Sequence, residues 1–196
     1  LPRQIQKARE NGHPLSLIIL DVDYFKKVND NYGHLVGDRL LKLLSERIRT
    51  KLRSQDTAFR YGGEEFVIIL SQTTAEEARA VAQRLNSVVK DSLFEIDSTL
   101  SIDVTISLGS TCLLSSDDDE GLSLLHRADT LLLQAKSEGR NRVISSENVA
   151  LNNKYLPNPT NNVLLNEVSF NSKTQSAKYI SQNRVLELSH IKIAAG

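Results

Sequence analysis

Two adjacent carboxylates, Glu64 and Glu65, follow two glycines in the stretch AFRYGGEEFVIIL (residues 58–70) and open an apolar run. Ionised carboxylates need water, hydrogen-bond donors or a cation, and a buried strand supplies none of these by itself. A third carboxylate, Asp21, lies near the end of another apolar run, PLSLIILDV (14–22). If the two runs are neighbouring strands of one sheet, the acids converge at one edge. Converging carboxylates repel unless something positive sits between them. Hard oxygen ligands suit Mg²⁺, which takes one or two carboxylates and completes its shell with waters and substrate phosphates. The chemistry on offer is a Mg²⁺–nucleotide site. A solvated strand end with unrelated acids is the competing reading, and spacing alone leaves both open.

Such a site needs a rigid scaffold. The run 14–22 reads as a central strand buried on both faces. Gly62 and Gly63 suit a two-residue hairpin turn with φ > 0 at both positions. A short polar turn or helix, DYFKKVNDNYG, follows the first strand. A long helix is expected over about 35–53, with Leu41, Leu44, Ile48 and Leu52 at helical spacing. Thr74 with Glu77 three residues on spells a capping box, and Ala78, Val81, Ala82, Leu85 and Val89 form the apolar face behind it. DVTISLGST alternates like a strand. The segment 117–139 reads as an amphipathic helix ended by Gly139, and NRVIS as a last short strand. This order implies an α+β fold, a ferredoxin-like sheet of mixed, mainly antiparallel strands flanked by helices.

Composition narrows the class. Among 196 residues, 40% are hydrophobic and 24% charged, as in ordinary globular domains. The formal net charge of zero speaks against DNA or an anionic membrane as a partner. No apolar run approaches a membrane span. The single cysteine, Cys112, excludes an intrachain disulfide and fits a small core filler in a reducing, cytoplasmic setting. The chain has no methionine and opens inside what reads as a helix, so a missing N-terminus is expected. Near residue 148 the sequence turns Asn/Ser-rich. Residues 148–196 carry five Lys/Arg and two Asp/Glu, net +3, against net −3 for 1–147. The expected organisation is a domain over 1–147 and an extension over 148–196 without chemistry of its own.

Four separated motifs, DVDYFKKVND (21–30), YGHLVGD (32–38), GGEEF (62–66) and ADTLLLQAKSEGRNRV (128–143), together resemble the GGDEF family of diguanylate cyclases, in its GGEEF variant. The resemblance implies a polymerase-palm-like fold. It also implies condensation of two GTP molecules into cyclic di-GMP with release of two pyrophosphates, a bacterial second-messenger activity.

By that resemblance, Asp21, Glu64 and the Val22 carbonyl hold Mg²⁺, for which Mn²⁺ can substitute, with Glu65 assisting. Glu64 is also the candidate base for the attacking hydroxyl. Backbone N–H groups of Tyr24, Phe25 and Lys26 meet the phosphates, and the Lys26 ammonium adds charge. Asn29 and Asp38 read guanine, with His34 as a further substrate contact. Lys136 and Arg140 reach the phosphates. Arg53 and Asp56, in RSQD, match the family's product-inhibition motif, and Arg84 stands where the family has a secondary inhibitory arginine. Catalysis implies a homodimer, one GTP per subunit, and an upstream sensory domain in the full protein. Two departures stand out. The family's N-terminal Asp-x-Leu-Thr-Gly-Leu-x-Asn-Arg motif is absent, and Leu133 replaces a usual tyrosine at a packing position. The alternative is a non-catalytic receptor for GTP or cyclic di-GMP; the complete acid set favours catalysis. A cyclase joining a different nucleotide pair is a third option.

Overall fold

The computed structural model describes residues 1–146 and, beyond them, the strand backbones of 169–171, 176–181 and 184–187. The chain divides into two compact units, Leu1–Leu151 and Asn152–Gly196. In the second, β8 (Ser169–Asn171), β9 (Ser176–Ser181) and β10 (Arg184–Glu187) form an antiparallel sheet with β9 central. The remainder of the proposed extension lies outside the described residues.

The first unit is built on a five-stranded sheet ordered β2-β3-β1-β6-β7. Its strands are β1 (Leu15–Val22), β2 (Thr57–Arg60), β3 (Glu65–Ser71), β6 (Ile106–Cys112) and β7 (Val143–Ser145). β1 is central and antiparallel to both β3 and β6; β7 adds to β6 in parallel. The first four strands have the ferredoxin-like order, and the parallel fifth strand extends it.

Every residue of β1 is buried, because helices cover both faces. Ile18, Leu20 and Val22 pack with Phe66, Ile68 and Leu70 under α2 (Phe25–Tyr32), α3 (His34–Arg49) and α4 (Ala75–Lys90). Leu15, Leu17 and Ile19 pack with Val67 and Ile69 under α1 (Pro2–Asn11) and α5 (Leu122–Ser137). Strand alternation therefore assigns Asp21 to the α5 face. Its ladder partner, Glu65, belongs to the same face.

Gly109 of β6 sits directly beneath α5. A Cβ there would lie 2.1 Å from the Ala128 carbonyl oxygen and 2.5 Å from the Leu132 nitrogen. Both are main-chain atoms that cannot step aside as a side chain would. Gly109→Ala is expected to destabilise the domain by about 3 kcal/mol, read as a lower urea midpoint. An unchanged midpoint would show that α5 can lift off the sheet freely.

Several boundaries differ from expectation. The long helix ends at Arg49 rather than near 53, since the chain turns there and Arg53 to Asp56 form a tight loop. α5 begins at Leu122, not 117, because the acidic run folds back. Asp118 accepts from the Leu122 and Ser123 N–H groups at 2.9 and 2.8 Å and caps the helix. A small hairpin, β4 (Phe94–Glu95) with β5 (Ser101–Ile102), escaped the sequence patterning because each strand has only two residues. The capping box at Thr74 forms as spelled. Cys112 is partly exposed rather than fully buried.

Candidate active site

Gly62 and Gly63 do not adopt the left-handed conformation expected of a two-residue turn. The connection runs from Arg60 to Glu65, longer than two residues, and is held otherwise. Tyr61 and Gly62 donate their N–H groups to the Glu65 carbonyl at 2.7 and 3.4 Å. The Arg60 guanidinium donates to the Gly63 carbonyl at 2.9 and 2.7 Å. A Cβ on Gly62 would approach a Glu65 carboxylate oxygen to 3.1 Å, so the missing side chain leaves that carboxylate room. The hairpin then locks onto β1, as the Val22 N–H donates to the Glu64 carbonyl at 3.3 Å.

This architecture brings Asp21 together with both glutamates. Asp21 is 3% exposed, and its carboxyl pKa is pushed up to about 6. Burial is the main cause, the Lys136 ammonium opposes it, and the negative charges of Glu64 and Glu65 add to it. Lys136, in the last turn of α5, places Nζ 2.7 Å from Asp21 Oδ2. Among the described residues, no three acids, histidines or cysteines form a ready-made metal cage. The donor set is instead one buried carboxylate beside two half-buried ones at a strand end. That fits Mg²⁺, which needs few protein ligands when a polyphosphate completes its shell.

The chain continues from Asp21 into the start of α2. Tyr24 adopts a left-handed conformation, φ 57°, and turns the backbone so that α2 opens at Phe25. The first N–H groups of a helix have no partner within it, which suits them to phosphate oxygens. Lys26 is exposed and paired with Asp30 at 2.9 Å. Arg140 reaches the same edge from beyond α5. Its guanidinium lies 4.6 Å from the Tyr24 ring centroid, and the Lys27 ammonium lies 4.5 Å from the same centroid.

Asp23 was given no role by sequence reasoning, and it anchors this edge. It is 4% exposed. Its carboxylate accepts from Ser107 Oγ at 2.7 Å, Thr105 Oγ1 at 2.6 Å and the Asn141 N–H at 3.0 Å. Asn141 and Arg140 are both left-handed, with φ 47° and 62°. Asp23 therefore clamps a strained turn and, through it, fixes where Arg140 emerges. Asp-x-Asp at a strand end was the visible signal, but nothing in the sequence joined it to residues 105–107 and 141.

Asn29 lies across the α2–α3 contact. A Cβ on Gly37 would fall 2.0 Å from Asn29 Oδ1, so the glycine makes the space that Asn29 fills. Among the described residues that oxygen is buried without a hydrogen-bond partner, an acceptor whose desolvation they leave uncompensated. Asp38 follows Gly37 and is exposed, and His34 is exposed at the first residue of α3. The fold thus sets Asn29 beside the residue preceding Asp38.

Arg53, Asp56 and Arg84 gather elsewhere. Asp56 Oδ2 accepts from the Arg53 N–H, and the Asp56 N–H donates to the Arg53 carbonyl, each at 3.0 Å. The pair makes a backbone loop instead of the surface ion pair that Arg-x-x-Asp also permits, and leaves the Arg53 guanidinium outside it. Arg84, on α4, donates to the Lys51 carbonyl at 2.9 Å, two residues from Arg53.

A family model described as "Diguanylate cyclase, GGDEF domain" matches residues 1–142. The chain is 40% identical over 144 residues to diguanylate cyclase A of Treponema denticola, covering 74% of this chain and 38% of that protein. It is 38% identical over 141 residues to the response regulator PleD of Caulobacter vibrioides, covering 71% and 31%. It therefore spans about a third of the length of these curated relatives. Among solved structures, the GGDEF domain of DgcB from Caulobacter crescentus, in complex with c-di-GMP, matches with a TM-score of 0.69 at 30% identity, covering 75% of this chain and 86% of that one. The active GGEEF domain of a diguanylate cyclase from Vibrio cholerae matches with a TM-score of 0.68 at 30% identity, covering 73% and 89%. With the palm-like α+β sheet and the acids at its central edge, these matches make the chain a member of the GGDEF family.

Proposed function

We propose that residues 1–147 form a diguanylate cyclase domain that condenses two GTP molecules into cyclic di-GMP and two pyrophosphates with Mg²⁺, residues 148–196 being an appendage without chemistry. The observation that carries this is the buried Asp21 carboxylate, beside Glu64 and Glu65, with Lys136 and Arg140 reaching the same edge.

Asp21, Glu64 and the Val22 carbonyl are the ligands for Mg²⁺ (or Mn²⁺ in its place), with Glu65 assisting. When bound, the metal neutralises triphosphate charge and favours in-line attack at the α-phosphorus. The chain's own residues do the rest. Glu64 accepts the proton of the attacking 3′-hydroxyl. The N–H groups at Tyr24 to Lys26 bind the phosphates, with the Lys26, Lys136 and Arg140 side chains balancing charge on the leaving pyrophosphate. Lys26 exchanges its exposed partner Asp30 for phosphate, a small cost for a surface pair.

Asn29 and Asp38 read guanine, Asp38 accepting from the N1–H and the exocyclic amine, an edge that adenine does not present. His34 borders the same nucleotide. Each subunit holds one GTP, so two must meet face to face as a homodimer, driven by an upstream sensory domain. GTP places the domain in the cytoplasm. Cyclic di-GMP rebinds at Arg53, Asp56 and Arg84 and inhibits.

The test is incubation of the purified chain, stripped of bound nucleotide, with GTP and Mg²⁺, products read by mass spectrometry. Cyclic di-GMP is expected from the parent and none from Glu64→Ala. Silence from a parent forced to dimerise by a fused coiled coil would overturn the assignment.

A further inference from the structure

Lys136 and Asp21 are 115 positions apart in sequence, yet their charged groups meet. Nζ lies 2.7 Å from Oδ2, with the carboxylate side chain 5% exposed and the lysine side chain 21% exposed. Arrangement of the backbone makes the contact specific. Asp21 belongs to the sheet face that α5 covers, and α5 rests main chain to main chain on Gly109. A carboxylate oxygen facing an ammonium at that distance has its charge already matched. A second cation drawn to the same carboxylate meets the ammonium's repulsion in a site largely closed to water, where charges interact strongly.

We propose that Lys136 is a resident counter-ion that keeps Asp21 from taking up a free divalent ion, and releases it only when a triphosphate offers Lys136 other oxygens. Metal and nucleotide then load together rather than in turn. This inference rests on Asp21 being a metal ligand, and it gives Lys136 a role before substrate arrives. The partly exposed lysine side chain has the freedom to leave. Asp21, fixed in the central strand, does not. Glu64 and Glu65 supply the negative field that would otherwise draw metal in alone. The coupling is reciprocal, so whatever Lys136 denies to the bare ion it returns as dependence of metal binding on nucleotide.

The experiment is a Mn²⁺ titration of the nucleotide-free chain, followed by the loss of the free-ion paramagnetic resonance signal. Lys136→Gln removes the charge while keeping a donor for Asp21, and Lys136→Met removes both. Either neutral variant is expected to bind Mn²⁺ roughly tenfold or more tightly than the parent. Lys136→Arg is expected to stay weak, and adding Asp21→Asn to Lys136→Gln is expected to erase the gain. Equal or weaker binding in the neutral variants overturns the inference, while the parent's weak Mn²⁺ site, if lost in Asp21→Asn, keeps Asp21 as the ligand. A gain that survives Asp21→Asn places the metal elsewhere and overturns both.

Discussion

Asp21→Asn is expected to give a chain that withstands neutral pH better than its parent and makes cyclic di-GMP on the order of 10³-fold more slowly, or not at all. The two effects have one origin. Asp21 has its carboxyl pushed up to about 6 from 3.8, by burial first, with Lys136 opposing and the two glutamates adding. A raised folded-state value means the folded chain holds that proton more tightly than the unfolded one. The contribution to stability is therefore fully present below about pH 4 and is lost as pH rises through about 6. The loss is on the order of 3 kcal/mol. An asparagine carries no such proton and escapes it, while Lys136, a fifth exposed, can turn to water.

The measurement is the urea midpoint of both chains between pH 4.5 and 7.5 in chelator. The parent curve should fall across this window, and the variant curve should stay flatter. Asp118, held at about 2 by hydrogen bonds from Ser123 and Leu122 that outweigh its burial, titrates too low to mimic the effect. Parallel curves would mean that Asp21 bears no buried charge. Loss of activity combined with a gain in stability is what a functional charge kept against its own cost should show.

Arg53→Ala should raise the Kd for cyclic di-GMP by about 100-fold, measured by calorimetry, and give progress curves that no longer bend as product accumulates. The loop explains why arginine is the position to change. The Asp56 side chain holds the Arg53 N–H and so shapes the backbone, whereas the Arg53 side chain takes no part in that loop. Truncating Asp56 confuses loss of structure with loss of contact; truncating Arg53 does not. A bidentate contact to a guanine edge is worth about 1–3 kcal/mol, and the upper end of that range corresponds to about 100-fold. Arg84 approaches from α4 and completes a positive cluster suited to a dianionic ligand. A Kd within a factor of about three of the parent's would remove this loop from the regulatory account.

Much of this was legible in the sequence because it depends on short range. The capping box at Thr74 and the buried strand ending near Asp21 follow from local periodicity and capping chemistry, whereas the pairing of that strand with the one after the glycines, Asp21 opposite Glu65, was only a condition until the sheet supplied it. Four motifs then bring their site residues by resemblance. What was not legible depends on crossings. Asp23 finds Thr105, Ser107 and Asn141 only after β6 lies beside β1 and the chain returns past α5. Lys136 finds Asp21 only because α5 descends onto Gly109. The glycine pair misled for a different reason. Gly-Gly between strands is the signal of a tight turn with positive φ, but here the connection is longer, and absence of side-chain bulk beside Glu65 matters more than backbone sign.

The seat of α5 on Gly109 bears on how this chain can drift in evolution. A helix held by main-chain contact has its height and axis set without help from its outward side chains. Leu133, which the family resemblance set at a packing position in place of a tyrosine, is instead on that outer side and 47% exposed, and the charged groups at the helix end keep their positions regardless. The outer surface of α5 is thus free to accept substitutions, and to acquire contacts with other parts of a longer protein, while the inner surface tolerates almost none. Sequence diversity across homologues should be partitioned along this single helix, one side varying and the other frozen around a glycine.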